Sequence, residues 1–169
     1  MRVAFRFCPA CGVGLQAREI ESRLLPACPA CEFVAWPDPK VAVAAVVEDV
    51  GGRVLVIRRG TAPGQGQWAL PGGYLDADET PAAGARRECL EETHCEVEID
   101  RLACIHHVLT EGGGLLVIVY GAHAVGGLVR PTEEAPELGW FLPEEMPELG
   151  FSSHRRAVAA WRCGEPEVV

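Results

Sequence analysis

The stretch Gly73 to Cys95, GYLDADETPAAGARRECLEETHC, constrains this chain more than any other, because its acids recur at helical spacing just behind a glycine pair. Thr80 reads as an N-cap and Pro81 as the first helical residue, so a helix is predicted to open there. At about 100° per residue, Glu88, Glu91 and Glu92 fall within one arc. Ala82, Ala83, Cys89, Leu90 and Thr93 are predicted to form the opposite, core-facing side. Arg87 and Glu91 stand four apart and can pair. Gly84, which costs about 1 kcal/mol against Ala in mid-helix, projects into the arc of the acids, implying that another group approaches closely there.

Three carboxylates at i, i+3 and i+4 repel one another, with only Arg87 nearby to compensate. A solvated acidic face is one reading of such a run. A bound divalent cation is the more economical one, and oxygen-only ligands favour Mg²⁺ or Mn²⁺ over zinc.

The spacing resembles the Nudix box, Gly-x5-Glu-x7-Arg-Glu-U-x-Glu-Glu-x-Gly-U, where U is aliphatic. Gly73, Glu79, Arg87, Glu88, Glu91 and Glu92 match it, Cys89 and Cys95 fill the U positions, and His94 replaces the final Gly. His94 falls where the helix ends, so the departure touches capping more than chemistry. The run Trp68-x-Leu-Pro-Gly-Gly-Tyr-Leu75 ahead of the box adds to the resemblance.

Two further motifs frame the chain's 169 residues. Cys8-Pro-Ala-Cys11 and Cys28-Pro-Ala-Cys31, sixteen residues apart, have the spacing of a four-cysteine zinc ribbon. Eight cysteines could instead form a disulfide framework, but Cys89, Cys95, Cys104 and Cys163 show no paired spacing, and MRVAFRF is too short for a secretory signal. Trp36-Pro37-Asp38-Pro39 then breaks regular structure. The expected organisation is a ribbon over 1–38, a catalytic domain over 39–163 and a tail over 164–169.

Lys40 to Glu48 and Arg53 to Arg59 read as strands joined by a turn at Asp49 to Gly52. Arg58 and Arg59 end the second near the loop Gly60 to Tyr74, where one of them could face phosphate. Trp68 and Leu70 read as core, while Tyr74 could be core or substrate contact. Glu96 to Leu109 and Leu115 to Ala124 are predicted strands, with a hairpin tip at Glu111 to Gly114. His106, His107 and His123 read as structural side chains rather than bases. A last helix, Arg155 to Trp161, is expected to be capped by Ser152 or Ser153.

Strands interleaved with two helices predict an α/β protein with a mixed sheet. The resemblance adds a Nudix α/β/α sandwich, the box forming loop-helix-loop, and hydrolysis of a nucleoside diphosphate linked to another group. It implies Mg²⁺ or Mn²⁺ held by Glu88 and Glu92, joined by Glu91, the Gly72 carbonyl and a loop acid, Glu134 with Glu133 as runner-up. One of Glu88, Glu91 or Glu134 would be the general base, and Glu79 and Arg87 would orient the box by a salt bridge.

Ribbon-bearing Nudix proteins include NADH pyrophosphatases and a group resembling the chloroplast FAD pyrophosphatase of plants. The NADH group's Ser-Gln-Pro-Trp-Pro-Phe-Pro signature is absent, whereas Leu149-Gly150-Phe151-Ser152-Ser153 resembles the FAD-cleaving group. FAD or ADP-ribose is therefore the expected substrate, with NADH, CoA, a nucleotide sugar or an oxidised nucleotide as alternatives. A ligand-sensing domain with a nucleic-acid- or protein-reading ribbon is the non-enzymatic alternative. The net charge of −9 argues against non-specific nucleic-acid binding. With no run of about 18 apolar residues, no membrane span is expected, and the expected location is cytoplasmic. The resemblance suggests a homodimer.

Overall fold

The computed structural model describes residues 5–110 and 113–169. Glu111 and Gly112, read as part of a hairpin tip, lie outside the described residues. The chain divides into two compact units, Met1–Lys40 with Leu109–Gly114, and Val41–Val108 with Leu115–Val169.

In the first unit, β1 (Gln16–Ile20) and β2 (Arg23–Ala27) form an antiparallel hairpin. Its two-residue turn holds Glu21 and Ser22 at φ 50° and 62°, the mirror-image turn whose twist suits paired strands. Flanking it are two loops of like construction. Cys8 N–H donates to the Val13 carbonyl at 2.8 Å and Cys28 N–H to that of Phe33 at 2.9 Å. Antiparallel bridges Phe7 to Gly14 and Ala27 to Val34 close each loop. The repeated Cys-Pro-Ala-Cys sequence thus makes one local structure twice.

The second unit is a mixed sheet between two helices, as expected. Its strands are β3 (Lys40–Glu48), β4 (Val54–Arg58), β5 (Trp68–Ala69), β6 (Gly72–Tyr74), β7 (Glu96–Thr110), β8 (Gly113–Gly126), β9 (Glu137–Phe141) and β10 (Glu167–Val168). The main order is β10-β7-β8-β3-β4-β5, with β6 paired to β3 and β9 to β4. Helix α1 spans Pro81–Thr93 and α2 spans Ser152–Cys163. The period of two along β3 and β4 sorts two cores. Ala44, Val46, Val54 and Val56 pack with Ala157 and Val158 of α2, while Ala45, Val47 and Leu55 pack with Cys89 of α1. That double burial is why Lys40 to Glu48 reads as an almost unbroken apolar run.

Three expectations are corrected. Helix α2 begins at Ser152 with Phe151 as N-cap and no side-chain capping bond, so neither serine caps it. Residues 164–169 are not a loose tail: Glu167–Val168 pair in parallel with Cys104 and Ile105, extending the sheet. Helix α1 buries Gly84, Ala85, Glu88, Cys89 and Glu92 together, while Leu90 is 48% exposed. Glu88 and Glu92 thus share the packed side with Cys89 and Thr93, which are buried as expected, while Glu91 is exposed. Among the described residues, no helix is long and apolar enough to cross a membrane.

Candidate functional site

The acidic centre is built where β6 lies against α1. Thr80 Oγ1 accepts from Ala83 N–H, Pro81 opens the helix, and His94 closes it in the left-handed region at φ 56°, its N–H donating to the Leu90 carbonyl. Gly84 is small for the reason its position implies: a Cβ there would stand 2.8 Å from Glu79 Oε1 and 2.9 Å from Leu75 Cδ1. A Cβ on Gly73 would stand 2.6 Å from both oxygens of Glu88. The glycine pair therefore lets a buried carboxylate lie directly on the backbone of β6.

Arg87 gathers the acids. Its Nη2 donates to Glu79 Oε1 at 2.6 Å and to the Tyr74 carbonyl at 3.1 Å, and its Nη1 donates to Glu88 Oε1 at 2.7 Å and Glu91 Oε2 at 3.0 Å. Hydrogen bonds from Arg87, then from the Asp76 amide, hold the Glu79 carboxyl below its ordinary value. Arg87 itself is raised by the same carboxylates, Glu79 first. Burial raises Glu88 despite Arg87, with Glu91 and Glu134 adding to the rise.

Glu92 escapes Arg87. It is 4% exposed, and its Oε2 accepts from Gly72 N–H at 2.8 Å. Burial pushes it up to about 7, the Gly72 amide opposing and the Glu88 charge reinforcing. Arg59 also lowers it, so of the two arginines ending β4 it is Arg59 whose charge reaches the centre. Arg58 is held elsewhere, on Glu137 at 3.0 Å and the Gly66 carbonyl at 2.9 Å. Tyr74 is 53% exposed and meets Arg87 through its carbonyl. Glu133 and Glu134 are exposed on the loop before β9, and the charge of Glu134 is felt at both Glu88 and Glu92.

Two residues that the sequence reading passed over complete the surroundings. Thr132 Oγ1 donates to the Glu92 carbonyl at 3.0 Å and accepts from Ala135 N–H at 3.1 Å, tying the Glu134 loop to the end of α1. His154, in α2, accepts at Nδ1 from Leu70 N–H at 3.0 Å, two residues before Gly72. Neither contact leaves a local signal, since the partners lie 40 and 84 residues apart.

The centre's metal-facing groups are all oxygen, and of its two buried carboxylates only Glu88 is paired with the Arg87 guanidinium, a set that suits a hard divalent cation. Among the described residues, only the four thiols of the first unit bring three or more ligand atoms within 4.8 Å of one another. There Cys8 and Cys31 Sγ are 3.6 Å apart, Cys11 and Cys28 3.5 Å, and Cys11 and Cys31 3.9 Å. A tetrahedral Zn²⁺ with bonds of about 2.3 Å requires sulfurs roughly 3.8 Å apart, so the cluster could hold that metal. The other four cysteines are free and scattered.

A mixed sheet between two helices, carrying a glycine pair, a capped acidic helix and an arginine that gathers its carboxylates, defines a protein built on a loop-helix-loop acid centre. A profile of the NUDIX domain matches residues 38–161, and the chain belongs to the Nudix hydrolase family. It is 39% identical over 117 residues to a MutT-like protein of Streptomyces ambofaciens, covering 69% of this chain and 73% of that protein. It is 29% identical over 130 residues to an ADP-ribose pyrophosphatase of Methanocaldococcus jannaschii, covering 75% and 76% respectively. The crystal structure of a NUDIX hydrolase from Nitrosomonas europaea superposes with a TM-score of 0.84 at 28% identity, over 98% of this chain and 99% of that one.

Proposed function

We propose that the chain hydrolyses the pyrophosphate bridge of an ADP-linked metabolite, ADP-ribose or FAD, releasing AMP in a reaction that needs Mg²⁺ or Mn²⁺. Water adds to one phosphorus, the bridging P–O bond breaks, and the departing phosphate takes up the proton. The observation that carries this reading is Glu92: a carboxylate buried beside a second acid and compensated, among the described residues, by one backbone amide and no hydrogen-bonded cation. An added divalent ion offsets that deficit.

In this reading Glu88 and Glu92, with Glu91, the Gly72 carbonyl and Glu134, hold the metal. When bound, it neutralises phosphate oxygens, orients the bridge and acidifies a water. Arg87 and Glu79 fix the helix against β6, so the ligands are aimed before substrate arrives. Glu88, Glu91 or Glu134 takes the proton from the attacking water. Arg59 meets a substrate phosphate, and Tyr74 lies at the exposed rim. Zinc is the structural ion of the ribbon. ADP-ribose is supported by the likeness to the ADP-ribose pyrophosphatase of Methanocaldococcus jannaschii, and FAD by the Trp68 to Leu75 run and Leu149 to Ser153. The small-molecule substrate sets the partner class; the homodimer and the cytoplasmic location rest on the family resemblance.

The test is AMP release from ADP-ribose, FAD, NADH, CoA and nucleotide sugars, with and without Mg²⁺. Glu92→Gln, which keeps the acceptor for Gly72 N–H, is expected to lower kcat by about 100-fold or more while leaving the melting temperature at or above the parent's. Equal rates in parent and variant would sink the metal assignment.

A further inference from the structure

Segment 68–73 brings Gly72 and Gly73 to the acids, and its backbone is pinned from three directions. The Pro71 carbonyl accepts from Ala45 N–H at 3.1 Å, and Gly72 N–H donates to Glu92. Upstream, Trp68 bridges Leu149 in parallel and its carbonyl accepts from Gly150 N–H at 2.8 Å. Leu70 N–H is the next donor along this edge. The opposing chain turns into α2 at Ser152. There His154 Nδ1 is the acceptor, at 3.0 Å. A side-chain imidazole, not a backbone carbonyl, thus accepts from Leu70, and Pro71, which has no N–H, leaves Leu70 as the last amide before Gly72 that can be held.

The ring is itself held. It is 9% exposed and lies 5.1 Å from the Phe151 ring, over which the Arg59 guanidinium sits at 5.8 Å. A Cβ on Gly64 would stand 2.7 Å from Phe151, so the loop after β4 closes tightly on this turn. Nothing in the packing requires a polar ring; an apolar one would fill the same space and leave Leu70 N–H buried without an acceptor.

We propose that His154 is a positioning residue of the acidic centre: its Nδ1 fixes the Leu70 amide, and through it the Gly72–Gly73 backbone that meets Glu92 and Glu88. The kinetic part of this inference rests on the reading of that centre as a hydrolase; the structural part does not. The Nε2–H tautomer follows, because Nδ1 must accept.

Three measurements decide it. In the parent, ¹⁵N NMR of the imidazole should report a proton on Nε2 and none on Nδ1; a proton on Nδ1 overturns the proposal whatever the variants do. Hydrogen exchange at Leu70 and Gly72 should accelerate by about tenfold or more in His154→Leu. In His154→Asn, whose Oδ1 reaches the position of Nδ1, exchange should stay within about threefold of the parent. With ADP-ribose and Mg²⁺, kcat should fall by about 10- to 100-fold in His154→Leu with KM little changed, and His154→Asn should recover most of it. A side chain that only fills space would treat Leu and Asn alike, and that result overturns the assignment. If the parent cleaves no dinucleotide, the hydrolase reading fails, while the exchange and tautomer measurements still judge the positioning.

Discussion

The four-cysteine cluster and the acidic centre each bring like side chains together, by opposite means. In the cysteine unit, two copies of one short loop carry the four sulfurs, and few buried side chains back them: among the described residues up to 38, Cys8, Leu25, Ala27 and Cys28 are buried. Phe5, Phe7, Val13, Leu24 and Trp36 are exposed large hydrophobics of the same stretch, so the core among its described residues is small. In the acidic centre Arg87, the Gly72 amide and a sheet packed on both faces hold the carboxylates. A metal is therefore expected to be part of the ribbon's fold and only of the centre's chemistry.

Zinc removal is the harshest test of that contrast. Chelation, or Cys11→Ser, should abolish amide protection across residues 5–38, since the binding energy of such a site is about 10–16 kcal/mol and substitutes for a core. Protection in β3, β4 and α1 should persist. Elemental analysis finding no zinc, with an unchanged melting profile after chelation, would show that the two regions do not differ in this way.

The same contrast explains what could be read in advance. Both clusters were legible because each is local: Cys-x2-Cys twice, and Glu88, Glu91 and Glu92 within two helical turns. So were the ends of α1, where Thr80, Pro81 and His94 act through neighbours three or four residues away. What failed was the assignment of faces. A wheel placed Cys89 and Thr93 correctly but cannot say how far round the packed side extends: it takes in Glu88 and Glu92 and leaves out Leu90. Long-range partners failed altogether: nothing near Thr132 or His154 announces Glu92 or Leu70, and a two-residue strand such as β10 has no periodicity to detect.

A milder test sharpens the protein-held half of the comparison. Burial, reinforced by the Arg59 charge, pushes His154 down to about 4 from its ordinary 6.5. Because its folded value is the lower one, its contribution is fully present above pH 6.5 and is lost as pH falls toward 4. Between pH 7.5 and 4.5 the parent should lose about 2–3 kcal/mol from this residue, over and above any loss from the acids. In His154→Asn, which cannot titrate, that part should vanish. Urea unfolding of both proteins at the two pH values reads the difference directly; parallel losses would mean that the buried ring does not govern acid sensitivity.

The smallest effect concerns the end of α1, where the box departs from glycine. His94 sits at φ 56°, ψ 20°, a conformation a β-carbon disfavours by about 1 kcal/mol or more. Its N–H donates to the Leu90 carbonyl at 2.9 Å, a backbone bond that any residue can make. Gly at this position would keep the bond and remove the strain, at the expense of a more flexible unfolded chain. His94→Gly should therefore raise stability by about 0.5–1 kcal/mol, a shift of a few degrees in melting temperature. Turnover should not change, because Glu92 is anchored to Gly72 and Thr132 rather than to the cap. A loss of activity would mean that the helix end reaches the carboxylates, and that the centre is less self-sufficient than its hydrogen bonds imply.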